Sequence, residues 1–155
     1  MNRPEIRLTL PVIELACIRL RPWCVVDAAA LAAAWADPEI VARSSVPPDS
    51  SLAAAERWIE GSEERCRRGL SVDLAIARSL DDEVIGEVGL SSIDPRRGAA
   101  LIGWWVAAAD RGQGVASEAV AGFVGWALTE AGFAAVVAEI TEDNGASLQV
   151  AKNCA

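Results

Sequence analysis

The sequence predicts an α+β domain with a mixed, mostly antiparallel sheet flanked by helices, in the order β-α-α-β-β-β-α-β-α. Three strand-like segments joined by short turns, two alternating and one almost wholly apolar, lie in the middle of the chain and indicate an antiparallel meander. An amphipathic helix separates this meander from one more apolar segment, which requires a right-handed crossover and a locally parallel pair of strands. With 155 residues, 52% of them hydrophobic, residues 1–155 have the size of a single domain.

The first third of the chain predicts one strand followed by two helices. Apolar and polar side chains alternate in the strand, and Pro22 ends it. Asp27 is placed to cap an alanine-rich helix, which Asp37-Pro38 stops. The predicted elements are a strand over 15–21, a helix over 27–36 and a helix from 50 or 51 to about 68.

The rest of the chain predicts the meander, the crossover helix, a strand and a last helix. The third meander strand is almost wholly apolar, which predicts a central strand covered on both faces. Val120, Phe123 and Val124 recur at helical spacing in the crossover segment. The predicted strands are 72–78, 84–90, 101–107 and 134–140, and the predicted helices are 115–130 and 146–154.

The composition excludes several classes of catalytic site. The chain has no His and no Tyr, so Ser-His-Asp and Cys-His nucleophilic sites and His-ligated metal sites are ruled out. Carboxylates, hydroxyls, thiols, Arg and the backbone remain as reactive groups. The net charge of −8 lacks the basic footprint of a nucleic-acid-binding protein, so nucleic acid is not an expected partner and no metal site is expected.

The cysteines and the apolar segments indicate a cytoplasmic protein. The four cysteines show no C-x-x-C spacing, and buried free thiols in a reducing compartment are the expected state. The first ten residues lack the apolar stretch of a signal peptide. The longest apolar run, 28–36, is half the length of a membrane span, so no membrane partner is expected.

A glycine-containing loop, R-G-Q-G-V-A at 111–116, joins the apolar strand to the amphipathic helix. Glycines let the backbone approach a ligand closely, and the first turn of a helix presents unpaired N–H groups, so this position suits phosphate or pyrophosphate. The loop matches neither the P-loop nor the dinucleotide-binding pattern. A tight turn that binds nothing is the alternative.

Six segments, in order along almost the whole chain, carry a resemblance. They are R-L-R-P-W at 19–23 with Asp27, D-P-E-I-V at 37–41, I-G-E-V-G-L at 85–90, G-W-W-V at 103–106, R-G-Q-G-V-A-S-E-A at 111–119, and D-N-G-A-S at 143–147 with Val150. Together they resemble the GCN5-related N-acetyltransferases (GNAT), in particular the branch of ribosomal-protein N-terminal acetyltransferases. The predicted order of strands and helices agrees with the GNAT fold.

The resemblance implies that acetyl-CoA binds as acyl donor between two splayed strands, 101–107 and 134–140. A neutral amine, from a protein N-terminus or a small molecule, would attack the thioester directly, with a backbone N–H near Val106 stabilising the oxyanion. Neither His nor a metal is needed. The implied cofactor-binding residues are Trp105, Val106, Ala107, Arg111, Gly112, Gln113, Gly114, Val115, Ala116, Asn144 and Ser147.

Two departures from the family pattern determine the candidate catalytic residues. The family often has a Tyr as thiolate proton donor where this chain has Ala151, and Ser147, one turn earlier, is the substitute, although it could instead cap the helix. A family Glu is replaced by Leu101, which leaves Glu87 as candidate base, with a solvated sheet-face carboxylate as the alternative. Glu118 is expected to contact backbone or an Arg.

The sequence stops where the family continues with two more strands. We therefore expect either a C-terminally incomplete domain or a partner chain at the open sheet edge, a homodimer being one such assembly. Two functions remain open at this point. The first is an acetyl-CoA-dependent N-acetyltransferase. The second is an acyl-CoA-binding sensor or assembly protein with little or no catalysis, which the missing Tyr and Glu would suit.

Overall fold

A computed structural model describes residues 5–154, which form one six-stranded sheet with helices on both faces. The strands are β1 (Ile13–Glu14), β2 (Ile18–Pro22), β3 (Val72–Arg78), β4 (Val84–Asp94), β5 (Ala99–Val106) and β6 (Ala135–Val137). The helices are α1 (Ala28–Trp35), α2 (Pro38–Arg43), α3 (Leu52–Glu60), α4 (Ser62–Arg67), α5 (Val115–Thr129) and α6 (Gly145–Asn153). Two short 3-10 turns cover Val25–Asp27 and Ala108–Asp110.

The strands lie in the sheet in the order in which they occur in the chain. Neighbouring strands are antiparallel from β1 to β5, and β5 and β6 are parallel. This arrangement confirms the predicted mixed, mostly antiparallel sheet. The parallel pair extends only from Ala99–Ala135 to Leu101–Val137. Beyond these residues the two strands are unpaired, so the sheet opens between them.

Each face of the sheet carries its own core. On one face α5 packs through Phe123 and Trp126, whose rings stack 5.5 Å apart, against buried side chains of β2 to β5. On the other face α1 and α3 bury Leu31, Trp35 and Ala55 together with other side chains. Helix positions recurring every three or four residues present these apolar side chains to one side, so the sheet is fixed from both faces.

The first third differs from the prediction in three ways. Pro22 lies inside β2 as its last residue. Asp37 ends α1 but also begins α2, because its Oδ1 accepts the Glu39 N–H at 2.9 Å and Pro38 occupies the first helical position, where no N–H is required. The helix predicted over 50–68 is two helices, α3 and α4, meeting at Gly61.

Asp27 does not cap α1 with its side chain. Its carboxylate instead forms a buried, two-pronged ion pair with Arg21, at 2.8 and 3.0 Å, and accepts the Cys24 N–H at 2.8 Å. Paired guanidinium and carboxylate groups are the usual way to bury such charges. Asp27 therefore fixes the entry to α1 through β2 rather than through the helix end.

The later strands also depart from the predicted bounds and environment. β5 is second from the sheet edge, and Gly103 on it is exposed, so the prediction of a central strand covered on both faces is wrong. β4 extends to Asp94, and β6 has three residues rather than seven because its partner diverges. The short β1 was not predicted. Two of the four free cysteines, Cys17 and Cys24, are exposed rather than buried.

Candidate functional site

Two adjoining clefts lie where β5 and β6 separate. The loop cleft, about 350 Å³, contains the glycine loop, and the tryptophan cleft, about 430 Å³, contains Trp35, Trp58 and Trp105. The clefts share the residues along their common border, which come from α2, β5 and the start of α6. These shared residues are Arg43, Ser44, Trp104, Trp105, Asn144 and Ser147.

The glycine loop has the backbone conformation that its sequence requires. Gly112 and Gly114 have φ of +76° and +80°, a left-handed region in which side chains are strained. A Cβ at either position would meet no atom within 4 Å, so the space beside the backbone is open. Helix α5 begins at Val115, and its first turn leaves N–H groups without helical partners. The loop is therefore an open cradle of backbone donors at a helix N-terminus.

Not all of the predicted loop residues face the loop cleft. Gly112, Gly114, Val115 and Ala116 line it, together with Arg111. The lining does not include Gln113, whose Nε2 donates to the Ala109 carbonyl at 3.4 Å. The backbone of the loop, rather than the Gln113 side chain, forms the cleft wall.

The guanidinium of Arg111 is held by protein groups. Nε donates to the Val106 carbonyl at 3.0 Å, while Nη2 pairs with Asp37 at 3.1 Å and Nη1 with Glu39 at 3.4 Å. The Glu39 backbone N–H, followed by Arg111, holds the pKa of the Asp37 carboxyl below its usual value. These contacts join the end of β5 to the start of α2.

The open edge of β5 presents backbone groups to the loop cleft. Ala107 donates its N–H to Ile85 across the β4 side at 2.8 Å. Because backbone groups alternate along a strand, the N–H and C=O of Val106 and Trp104 point the other way, into the gap between β5 and β6. Trp105 and Val106 line the loop cleft, whereas Ala107 is not part of its lining.

Asn144 and Ser147 lie together at the start of α6. Asn144 Oδ1 accepts the Ser147 N–H at 3.2 Å, so Asn144, and not Ser147, caps this helix. The Ser147 hydroxyl has no hydrogen-bond partner within residues 5–154 and borders both clefts. Its side chain is thereby available to a bound molecule.

The floor of the tryptophan cleft is a patch of sheet in strict register. One row across the strands consists of Asp73, Gly89 and Gly103, and the next row contains Glu87 and Trp105. Paired residues on adjacent strands present their side chains to the same face. The carboxyl of Glu87 therefore lies beside the indole of Trp105. The neighbouring row has no side chains at Gly89 and Gly103, so the backbone is uncovered there.

Glu87 is a carboxyl at the base of the tryptophan cleft. Its Oε2 is buried and has no hydrogen-bond partner among residues 5–154. Burial raises the pKa of the Glu87 carboxyl to about 8, Asp73 adds to the rise, and Trp23, Arg65 and Trp105 oppose it. The approach of Trp23 falls short of hydrogen-bond geometry, since its Nε1 is also unpartnered. Glu87 as a whole is half-buried, and its buried Oε2 favours a shielded carboxyl over a solvated sheet-face carboxylate.

Asp73 and Arg65 support the floor, and sequence reasoning selected neither. Asp73 accepts a hydrogen bond from Ser71 Oγ at 2.7 Å and pairs with Arg65 Nε at 3.3 Å. Arg65 also lies over the Trp58 ring, 4.3 Å from its centre, and donates to the Trp58 carbonyl at 2.8 Å. A charged residue inside the apolar strand β3 was the available signal for Asp73.

Arg43 lies on the border between the two clefts. Its Nη1 donates to Thr141 Oγ1 at 3.3 Å and pairs with Asp143 at 3.2 Å, which ties α2 to the loop before α6.

Outside the clefts, Glu118 accepts the Cys17 N–H at 2.9 Å, which confirms its expected backbone contact. Over residues 5–154 no group of His, Cys, Asp or Glu could hold a metal, and none of the helices described is long and apolar enough to cross a membrane.

Comparison of the chain with known proteins identifies a family that it matches. The domain family described as "Acetyltransferase (GNAT) domain" matches residues 18–155. The chain is 28% identical over 144 residues to "Uncharacterized N-acetyltransferase p20" of Bacillus licheniformis, covering 93% of this chain and 75% of that protein.

Two solved structures share the fold. The first is Mycobacterium smegmatis RimJ in complex with CoA-disulfide, with a TM-score of 0.79 and 20% identity, covering 92% of this chain and 72% of that one. The second is RimL, the ribosomal L7/L12 alpha-N-protein acetyltransferase, in complex with coenzyme A, with a TM-score of 0.81 and 21% identity, covering 93% and 82%. The predicted resemblance is confirmed: this chain belongs to the GNAT family of acetyltransferases.

Proposed function

We propose that this chain is an acetyl-CoA-dependent N-acetyltransferase in which a neutral amine attacks the thioester directly. The observation that carries the proposal is the buried, unpartnered Oε2 of Glu87, which lies on the strand next to the open backbone edge of β5. Acylation of an amine needs a base that accepts a proton from the nitrogen and N–H donors that stabilise the charge on the carbonyl oxygen. Glu87 and the backbone N–H groups on the open edge of β5 can supply both. Residues 1–155 act in this proposal as one acetyl-CoA-binding domain.

Acetyl-CoA is proposed to lie in the loop cleft as the acyl-donor substrate. The open cradle at Gly112 and Gly114 and the first turn of α5 suit the pyrophosphate, because helix N-termini favour anions. The pantetheine arm would pair with the backbone N–H and C=O of Trp104 and with Asn144 Nδ2, because Arg111 Nε already donates to the Val106 carbonyl and the Val106 N–H is left for the thioester oxygen. Arg111 would act by holding the end of β5 in place through its contact with the Val106 carbonyl.

The acceptor amine is proposed to enter through the tryptophan cleft and lose a proton to Glu87. A base works best when its pKa is near the working pH, and the pKa of about 8 for Glu87 meets this condition. Because Oε2 is buried, a water molecule would carry the proton to it. The ionised fraction of Glu87 then reaches one half near pH 8, so the rate is expected to rise with pH through this value and to level off above it.

Transfer then makes one C–N bond and breaks one C–S bond. The amine nitrogen attacks the acetyl carbon, and the charge on the carbonyl oxygen is stabilised by the Val106 N–H, an interaction typically contributing about 3 kcal/mol. When the C–S bond breaks, CoA leaves as thiolate and Ser147 Oγ–H or water protonates it. The acceptor enters as an ammonium ion, so its nitrogen loses two protons in all: the first goes to Glu87 and gives the neutral nucleophile, and the second, lost as the acetamide forms, replaces the proton that Ser147 gives. The products are the acetamide, CoA and the proton held by Glu87.

A thiol-release assay tests the proposal. Purified protein is first titrated with CoA by calorimetry, and then CoA release from acetyl-CoA is followed with a panel of amines and peptide N-termini. Acceptor-dependent release at a rate well above hydrolysis is expected. Micromolar binding without release from any acceptor would favour the acyl-CoA-binding sensor or assembly protein, and absence of binding would overturn both functions. The cytoplasmic location and the homodimer stay predictions.

A further inference from the structure

We propose that the tryptophan cleft selects acceptor amines whose neighbouring group is planar and apolar, and that this group lies on the bare sheet at Gly89 and Gly103 beside Trp58. The proposal rests on the proposed function, because it places the reacting amine at Glu87. It goes further by naming the chemical class of the acceptor and the residues that select it.

The glycine row gives the cleft a flat floor. Gly89 and Gly103 are paired across β4 and β5, so two adjacent positions of the sheet carry no side chain. Gly103 is exposed, and a Cβ there would meet no atom within 4 Å. At Gly89 a Cβ would approach the Val72 carbonyl to 3.0 Å, so a side chain there would be tightly packed against β3. The free space therefore lies above Gly103 and is bounded below by peptide planes.

Tryptophan side chains form the wall above this floor. Trp58 and Trp105 are only partly buried and both line the cleft, with the more deeply buried Trp35 beside them. Edge-to-face contacts with Trp23 and Trp35, each with ring centres 6.1 Å apart, fix the Trp58 ring. Arg65 covers one face of that ring. Partly exposed, rigid indoles in a concave site favour a flat apolar group that removes them from water.

The sheet register sets the distance between the amine and the planar group. Glu87 and Gly89 are two residues apart on the same strand, which corresponds to about 6.6–6.8 Å. Glu87 is paired with Trp105 on β5, so an amine beside Glu87 also lies beside Trp105. It is then adjacent to the backbone of Val106 on the open edge of β5. A short linker of two or three bonds therefore connects a nitrogen at Glu87 to a ring above Gly103.

The charges in the cleft disfavour a carboxylate on the acceptor. Asp73, Glu87 and Glu139 line it, and Arg43 is the basic residue of the described lining, already paired with Asp143. Asp73 is paired with Arg65 from behind. A simple amine or the first residue of a peptide meets no repulsion there, whereas a free amino acid brings its carboxylate next to Glu87 and Asp73.

The test compares matched acceptors on the wild-type protein. The kcat/KM of tryptamine and 2-phenylethylamine is expected to exceed that of ethylamine by at least tenfold, and that of free tryptophan by a similar factor. Peptides beginning with Trp or with Ala distinguish a peptide source from a free amine, and the Trp peptide is expected to be preferred if peptides enter. Equal or better use of ethylamine or of the Ala peptide would overturn the proposal.

Two pairs of variants test which residues select the acceptor amine. Gly103→Leu fills the space above the floor and is expected to reduce the tryptamine-to-ethylamine ratio at least tenfold, whereas Gly125→Leu, at an equally open glycine on α5, leaves it unchanged. Trp58→Leu is expected to reduce the ratio and Trp58→Phe to retain most of it. CoA affinity by calorimetry checks that each variant is folded. An unchanged ratio in Gly103→Leu would overturn the proposal.

Direct binding separates this inference from the proposed function. Calorimetry of tryptamine with the wild-type protein in the presence of CoA is expected to show binding that Gly103→Leu removes. If that binding is present but no amine releases CoA from acetyl-CoA, the planar-group site stands and the transferase function fails. If amines release CoA but tryptamine neither binds nor is preferred, the function stands and this inference fails.

Discussion

The loop cleft and the tryptophan cleft meet at Trp105 and Ser147, yet they are built from different parts of the chain. The loop cleft is built mainly on the glycine loop and the start of α5, within residues 111–116, and on the open backbone edge of one strand. The tryptophan cleft is assembled from side chains on α1, α3, β3, β4 and β5. The first cleft depends on backbone conformation and the second on the identity of side chains that are distant in sequence.

This difference assigns separate tasks to the two clefts. Backbone N–H groups at a helix start recognise an anion whatever the nearby side chains are, so the loop cleft suits a donor that is common to a whole family. Side chains from several elements can change one at a time, so the tryptophan cleft suits an acceptor particular to this chain. Substitutions in the two clefts should therefore affect different measured quantities.

The largest effect is expected from Glu87→Gln, which removes the base and leaves the loop cleft intact. The kcat for acetyl transfer is expected to fall by about 10²–10⁴, the usual contribution of a general base. The Kd for CoA, measured by calorimetry, stays within twofold of wild type. Glu130→Gln, at an exposed position after α5, serves as control. A kcat within threefold of wild type would show that the proton leaves by another route.

The second largest effect is expected from Gly114→Val, which acts on the loop cleft alone. The φ of +80° at Gly114 strains a β-branched residue by about 1–3 kcal/mol, and relief of that strain moves the N–H groups that we propose to face the pyrophosphate. CoA affinity is expected to drop about 100-fold by calorimetry while the far-UV circular dichroism stays unchanged. Gly125→Val controls for a glycine replaced elsewhere on the same helix. Unchanged CoA affinity would remove the pyrophosphate from this loop.

The loop cleft could be predicted from the sequence because its determinants are local. Gly112 and Gly114 between a strand and an amphipathic helix already specify a positive-φ turn and a helix start, and the structure has both. The antiparallel meander of β3, β4 and β5 and the parallel β5–β6 pair also followed from the pattern of elements. Helix α2 did not, because Asp37-Pro38 reads equally as the end of one helix and the start of the next.

The tryptophan cleft could not be predicted because burial depends on residues far apart in sequence. Glu87 alternates with apolar neighbours like any solvated strand residue, and only Trp23, Trp105 and the helices over this face bury it. The sequence did not indicate that β5 is exposed at Gly103, because the apolar composition of β5 is typical of a strand covered on both faces. Register between β3, β4 and β5 brought Asp73 to the same patch.

A smaller effect is expected at the shared border, from Ser147→Ala. The leaving thiol has an ordinary pKa of about 8.5, so it departs at neutral pH with only moderate help, and kcat is expected to fall about tenfold. Because Asn144 caps α6, the helix remains in place and the Kd for CoA should not change. The measurement is kcat between pH 6 and 9, where the deficit should shrink at high pH. A deficit that is constant with pH would assign Ser147 a binding role.

The smallest effect, and the one that isolates the tryptophan cleft without any ligand, is the pH dependence of stability. The folded chain holds a proton on Glu87 up to about pH 8, whereas an unfolded chain loses it near the usual pKa of 4.5. Stability therefore falls as pH rises from about 4.5 to 8, since the folded state binds more protons over this range. Glu87→Gln cannot ionise and avoids this loss. Its Tm, by calorimetric scans, should match wild type near pH 4.5, exceed it by on the order of ten degrees or less at pH 8 and level off about one pH unit above. A Tm difference that does not vary with pH would mean that the carboxyl is solvated and titrates normally, in which case the base proposed for catalysis would be ionised at all working pH values.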